Sequence, residues 1–138
     1  MMETGRCVEI LDLYDWLPGY GENAVRTSKA GPHLSVVVEY EGQDGKLERK
    51  EFLFQDTVAF YQAASPGPLL LDLKFSDKGD QFLSSLVEYP DSEAALAWVQ
   101  HFEKFGHYSR VVKHYRIFFT AENIQLMVFA QSVIVRDA

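Results

Sequence analysis

The chain has 138 residues, 47% hydrophobic and 24% charged, the balance of one globular domain that buries roughly two-thirds of its unfolded surface and needs no disulfide or structural metal. Its one cysteine, Cys7, excludes an internal disulfide and fits a reducing cytoplasm. Thirteen basic against twenty acidic residues, a net charge of -7, argue against a general nucleic-acid binder, whose affinity for phosphates comes mainly from Lys and Arg.

The N-terminal stretch "MMETGRCVEILDLYDW" has acids where a secretion signal needs a basic region followed by an unbroken apolar run. No apolar run approaches the roughly 20 residues needed to cross a bilayer, so a cytoplasmic protein without a membrane span is expected. Residues 7–14, "CVEILDLY", alternate well enough for a first strand. Residues 15–33, with Pro18, Gly19, Gly21, Gly31 and Pro32 as breakers, read as one long connection, and connections of that length are usually functional or disordered.

"LSVVVEYEGQDGKLERKEFLF" predicts a hairpin around a three-residue loop, Gln43 to Gly45, with Gly45 left-handed. That register sets Leu34, Val36 and Val38 opposite Phe54, Phe52 and Lys50 on one face, and Glu39 opposite Arg49 on the other. Asp56 then reads as the N-cap of a short helix over about 57–64, ended by Pro66. Residues 69–75 alternate as a strand, "SDKGD" turns the chain, and "QFLSSLVEY" suggests a further strand. A longer helix is predicted over about 92–105, with Ser92 or Asp91 as its cap. Ala95, Trp98, Val99, Phe102 and Phe105 form its apolar stripe, and a left-handed Gly106 stops it.

The closing segments "RVVKHYRIFF" and "IQLMVFAQSVIV" predict a hairpin pairing Phe119 with Ile124. Its parity gives one dry face, with Tyr115, Ile117 and Phe119 beside Val128, Leu126 and Ile124. The opposite face mixes His114, Arg116 and Phe118 with Phe129, Met127 and Gln125. Such a face calls for partial cover by the loop or a helix, or else is a binding surface. The expected fold class is α+β: a single domain with a mostly antiparallel sheet of five to seven strands built from hairpins, and the two helices packed on it.

The chemistry-bearing motifs searched for are absent: no phosphate-binding GxxxxGK[ST], no HExxH, no GxSxG and no paired CxxC. His101, His107 and His114 are spaced by six and seven residues, which preorganises no zinc site, and Asp72, Asp77 and Asp80 lack the alternation and terminal Glu of a calcium loop. Neither a metal nor another cofactor is expected.

Two sets of residues remain as candidate sites. Trp16, Tyr20 and Arg26 sit in the long connection, where burial is not the default explanation for an aromatic or an arginine. Glu39, Glu41 and Glu51 belong to an acidic region: residues 30–100 hold twelve acids and five bases, whereas residues 101–138 hold three acids and five bases. Together these six residues suggest a noncatalytic module that docks a protein partner, a basic one by charge complementarity. Toxin-immunity proteins work in this way, and the comparison rests on size, charge and missing motifs alone. The second reading is a small-molecule site or enzyme on the mixed face, where Arg110, His114 and Arg116 share a strand parity and could receive a carboxylate or phosphate. Against it stands pairing of these bases with acids of a neighbouring strand, such as Asp72 or Glu88. A homodimer through an exposed sheet edge is compatible with either reading.

Overall fold

The computed structural model describes residues 1–64, 73–75, 82–106 and 109–138. The elements run β1 (Met2–Glu3), β2 (Val8–Asp12), a 3-10 turn (Leu13–Asp15), β3 (Ala24–Ala30), β4 (His33–Glu41), β5 (Leu47–Gln55), β6 (Ala59–Ala64), β7 (Leu73–Lys74), β8 (Ser85–Glu88), α1 (Glu93–Phe105), β9 (Lys113–Phe119), β10 (Ile124–Ala130) and β11 (Ser132–Asp137). The strand expected over 69–75 is described only at its end. The turn at 76–80, Pro66, Asp72, Asp77, Asp80 and His107 lie outside the described residues.

The architecture is mostly antiparallel sheet with one long helix, but the expected single sheet is in fact two. A four-stranded sheet of order β11-β5-β4-β3 packs on a five-stranded sheet of order β2-β8-β9-β10-β6, and a small parallel pair, β1 with β7, stands beside them. The two sheets share a corner. β10 passes into β11 at Gln131 while its antiparallel partner passes from β5 into β6 at Asp56, so one two-stranded ribbon belongs to both sheets. A switch of this kind needs a bulge, and Asp56 provides it at φ 52°, in the left-handed region that Asp tolerates better than most residues.

That corner overturns the short helix expected over 57–64. Asp56 caps nothing: its carboxylate accepts from Arg110 Nε at 3.0 Å, and the chain continues as β6, with Tyr61 opposite Met127 and Ala59 opposite Phe129. The Ala and Gln content favours a helix only weakly, and the ladder offered by β10 outweighs it. The other helical element among the described residues is the 3-10 turn at Leu13–Asp15, where Asp12 accepts from the Tyr14 N–H at 3.0 Å. The long connection also holds more order than expected, since β3 pairs along β4 from Ala24↔Glu39 to Ala30↔His33.

Both predicted hairpin registers are present. Leu34 faces Phe54, Val36 faces Phe52 and Glu39 faces Arg49, with Gly45 at φ 78°. Phe119 faces Ile124 and Tyr115 faces Val128. The dry face of β9 and β10 meets the inner face of the four-stranded sheet in the main core, where Phe52 meets Phe119 edge-on with centroids 6.3 Å apart and Phe54 meets Tyr115 at 5.6 Å. The other face of β10 carries α1. Ala95, Trp98, Val99 and Phe102 of the helix cluster with Val112, Met127 and Phe129. Phe105 leaves the expected stripe and is 65% exposed. Gly106 ends the helix with φ -100°, right-handed where a left-handed cap was expected, its N–H reaching Phe102 O at 2.8 Å.

Candidate functional site

The face of His114 and Arg116 is covered far more completely than sequence alone suggests: His114 is 0% and Arg116 5% exposed. Ser92, the N-cap of α1, is the reason. Its Oγ accepts from the Ala95 N–H at 3.1 Å and hydrogen-bonds His114 Nδ1 at 2.7 Å, tying the helix start to the sheet. The imidazole lies against Phe129 (4.4 Å between centroids) and Tyr89 (4.8 Å), and its Nε2 has no hydrogen-bond partner among the described residues. Burial, with the Arg116 charge adding to it, pushes its pKa down to about 3, so His114 is neutral throughout the physiological range. The guanidinium of Arg116 lies over the Phe118 ring, 4.7 Å from its centroid.

Nor do the three basic-site candidates converge. Arg110 turns away to Asp56 and stacks over Phe102 at 4.4 Å. The expected pairing of these bases with acids holds for Arg110, whose partner is Asp56, while parity keeps Glu88 off Arg116, because Glu88 stands opposite Tyr115 and Val87 opposite Arg116.

The docking candidates divide into two groups. Glu39, Glu51 and Arg26 point outward from the four-stranded sheet, and both acids are already neutralised. Glu39 bonds Arg49 (2.9 Å), and Glu51 accepts from Ser35 (2.6 Å) and Arg136 (2.7 Å), contacts that hold the Glu51 carboxyl below its usual range against the opposing effect of burial. Trp16 stands instead at one end of the sandwich, on the core side of β4, while Tyr20 reaches Glu41, which shares the outward parity of Glu39. Leu13 and Leu17 anchor the 3-10 turn in the core, which sets the Trp16 ring on Tyr40 with centroids 4.8 Å apart. The loop is held to the β9–β10 turn by Glu22, which accepts from the Glu122 N–H at 2.8 Å. Gly21, at φ 86°, approaches Ala121 so closely that a Cβ would lie 2.9 Å from its methyl. Tyr20 Oη donates to Glu41 at 2.5 Å, a contact that raises the phenol pKa.

A groove of about 800 Å³ opens at this end, and strand period explains what lines it. Core-facing positions on β4 run Leu34, Val36, Val38, Tyr40; on β5 they run Phe54, Phe52, Lys50, Glu48; on β11 they run Val133, Val135, Asp137. The first rungs are apolar and form the core. The last rungs are aromatic or charged and aim into the groove. Tyr40 donates to Glu48 at 3.1 Å, and burial together with that carboxylate pushes the phenol pKa up to about 12. Lys50 bonds Asp137 at 2.7 Å and stands 5.6 Å above the Trp16 ring. Asp15, Asp44 and Glu48 also line the groove, and none has an ion-pair partner among the described residues.

Of the six docking candidates Trp16 lines this groove and the other five do not; Tyr40, Lys50, Glu48 and Asp137 were not singled out. The signal for them was available, since Lys50 keeps phase with Phe52 and Phe54 although it carries a charge. A second groove, of about 730 Å³, is apolar and lies between β1, α1 and Tyr61 and Phe129 of the five-stranded sheet. Among the described residues no helix is long and apolar enough to cross a membrane, and no group of three or more His, Cys, Asp or Glu is placed to hold a metal ion. Comparison with protein-family models, with curated proteins and with solved structures finds no match in any of the three. Geometry alone therefore has to carry the functional assignment.

Proposed function

We propose that this protein is a noncatalytic docking module that holds a basic protein partner against the mouth of its sandwich, as an immunity-type inhibitor does. The observation that supports this reading is the mouth itself. An open groove joins two packed aromatic rings, Trp16 and Tyr40, with three carboxylates, Asp15, Asp44 and Glu48, that are in no ion pair among the described residues, whereas the groove's Arg49 and Lys50 are paired with Glu39 and Asp137. An aromatic side chain held rigidly by a core, as half-buried Trp16 is by the buried Tyr40, gives contact area at low entropic cost, and unpaired rim carboxylates steer an oppositely charged partner and fix its register. The overall charge of -7 acts in the same direction. The face of His114 and Arg116 gives less support to a small-molecule site, because both side chains are buried, His114 against the N-cap of α1.

The test is affinity capture from the native lysate with the wild type and with the triple variant Asp15→Asn, Asp44→Asn, Glu48→Gln, whose folding is checked by urea unfolding. The expected result is one basic partner in stoichiometric amount, with recovery falling about tenfold for the variant, the effect of removing three charges at roughly 0.5 kcal/mol each. Equal recovery by both proteins contradicts the proposal.

A further inference from the structure

The mouth contains a cation of its own, and what holds that cation describes the ligand. Lys50 occupies a core-facing rung where the alternation calls for an apolar residue. Its side chain is 22% exposed, its ammonium lies 5.6 Å from the Trp16 centroid, and its ion pair is with Asp137, which is 85% exposed. One such pair, with one partner in bulk solvent, contributes little to stability. A ring and a carboxylate set around a positive charge are nevertheless a good receptor for one. Around them stand Asp15, Asp44 and Glu48, more negative charge than Lys50 and the Glu39-paired Arg49 offset.

We infer that Lys50 is an internal stand-in for an arginine of the partner, which displaces it from Trp16 and takes Asp137 and Glu48 as its carboxylate contacts. Arginine is the residue named because its planar guanidinium stacks on an indole and bonds carboxylates through two N–H groups at once, which an ammonium cannot do. Displacement is a local event. Lys50 needs only rotate on its four-carbon stem into the solvent beyond the hairpin tip, and no backbone hydrogen bond breaks. Lys50 then sets the affinity by competing for the site, so its removal strengthens binding where loss of an ordinary contact weakens it.

This inference rests on the docking reading, and the experiment separates the two. The probe is an acetylated, amidated hexa-arginine peptide, titrated in a Trp98→Phe background so that Trp16 alone reports by fluorescence. Lys50→Met keeps the apolar stem and removes the charge. It is expected to tighten the peptide about fivefold, whereas Lys46→Met, which changes the net charge equally at an exposed position of the same hairpin, is expected to change it less than twofold. Asp137→Asn in the Lys50→Met background is expected to undo most of the gain. Equal effects of Lys50→Met and Lys46→Met, or no change in Trp16 emission on binding, overturn the inference. Capture of a basic partner that is lost with the triple variant while Lys50→Met binds the peptide no tighter would leave the docking reading standing and this one refuted. Selective tightening of the peptide by Lys50→Met with no captured partner would refute the docking reading and leave of this inference only the competition of Lys50 with a guanidinium at Trp16.

Discussion

Two of the places where basic side chains meet aromatic rings in this molecule have opposite outcomes. On the face of β9 away from the main core, His114 and Arg116 lie among Tyr89, Phe118 and Phe129 and are shut off from solvent. At the mouth, Lys50 stands over Trp16 with carboxylates around it and the groove open. The ingredients are alike; the difference is cover. A helix docked over the first face leaves imidazole neutral and ties it to the N-cap of that helix. At the second place the sheets run out before the charged rungs do, so the same strand period that builds the core points its last side chains toward solvent. Function is to be sought where the alternation continues past the apolar residues that would use it.

Breaking the covered region should therefore damage the fold, and changing the mouth should hardly affect it. His114→Ala empties a fully buried site and removes the hydrogen bond to Ser92, so urea unfolding should show a loss of about 2–4 kcal/mol with no change in peptide affinity per folded molecule.

The pH dependence comes next in size. The folded pKa of His114 lies near 3, below the unfolded value of 6.5, so its contribution is complete above pH 6.5 and is lost as the pH falls from there toward 3. Over that window its share of the slope is about 1.4 kcal/mol per pH unit. Unfolding curves of His114→Gln at pH 6.5 and 4.5 should be correspondingly closer together than those of the wild type.

Ser92→Ala removes both the cap and the imidazole partner and should cost about 1–2 kcal/mol. Smallest of all, Asp137→Asn should change stability by less than about 0.5 kcal/mol, because the ion pair it breaks is largely exposed. A stability loss at Asp137 comparable with that at Ser92 would erase the distinction drawn between the two regions.

What sequence could reveal follows the same division. Hairpin registers were legible because side-chain period is two and a turn residue, Gly45 or the Thr120–Asn123 stretch, pins the phase. The N-cap of α1 was legible because Ser92 precedes an apolar stripe. β6 was not, because nothing within "TVAFYQAA" distinguishes a helix from a strand until β10 lies beside it. The split between β10 and β11 was hidden for a related reason: "IQLMVFAQSVIV" alternates through Gln131, and the corner arises from the ribbon changing sheets. β3 went unseen because Arg26, Ser28 and Lys29 leave its alternation mostly polar. At the site, the loop residue Trp16 stood out as an unexplained aromatic. The groove needed the sheets to be stacked before Lys50, Glu48 and Asp137 could be seen to face one opening.

The central claim is that the open mouth, and not the covered face, receives a cationic partner. Amide and indole chemical shifts followed by NMR during titration with the hexa-arginine peptide test it most directly. The largest changes should fall on the Trp16 indole and on Tyr40, Glu48, Lys50 and Asp137, with the His114 and Arg116 amides unmoved. Changes centred on residues 113–118 or on α1, or none anywhere at saturating peptide, would contradict it.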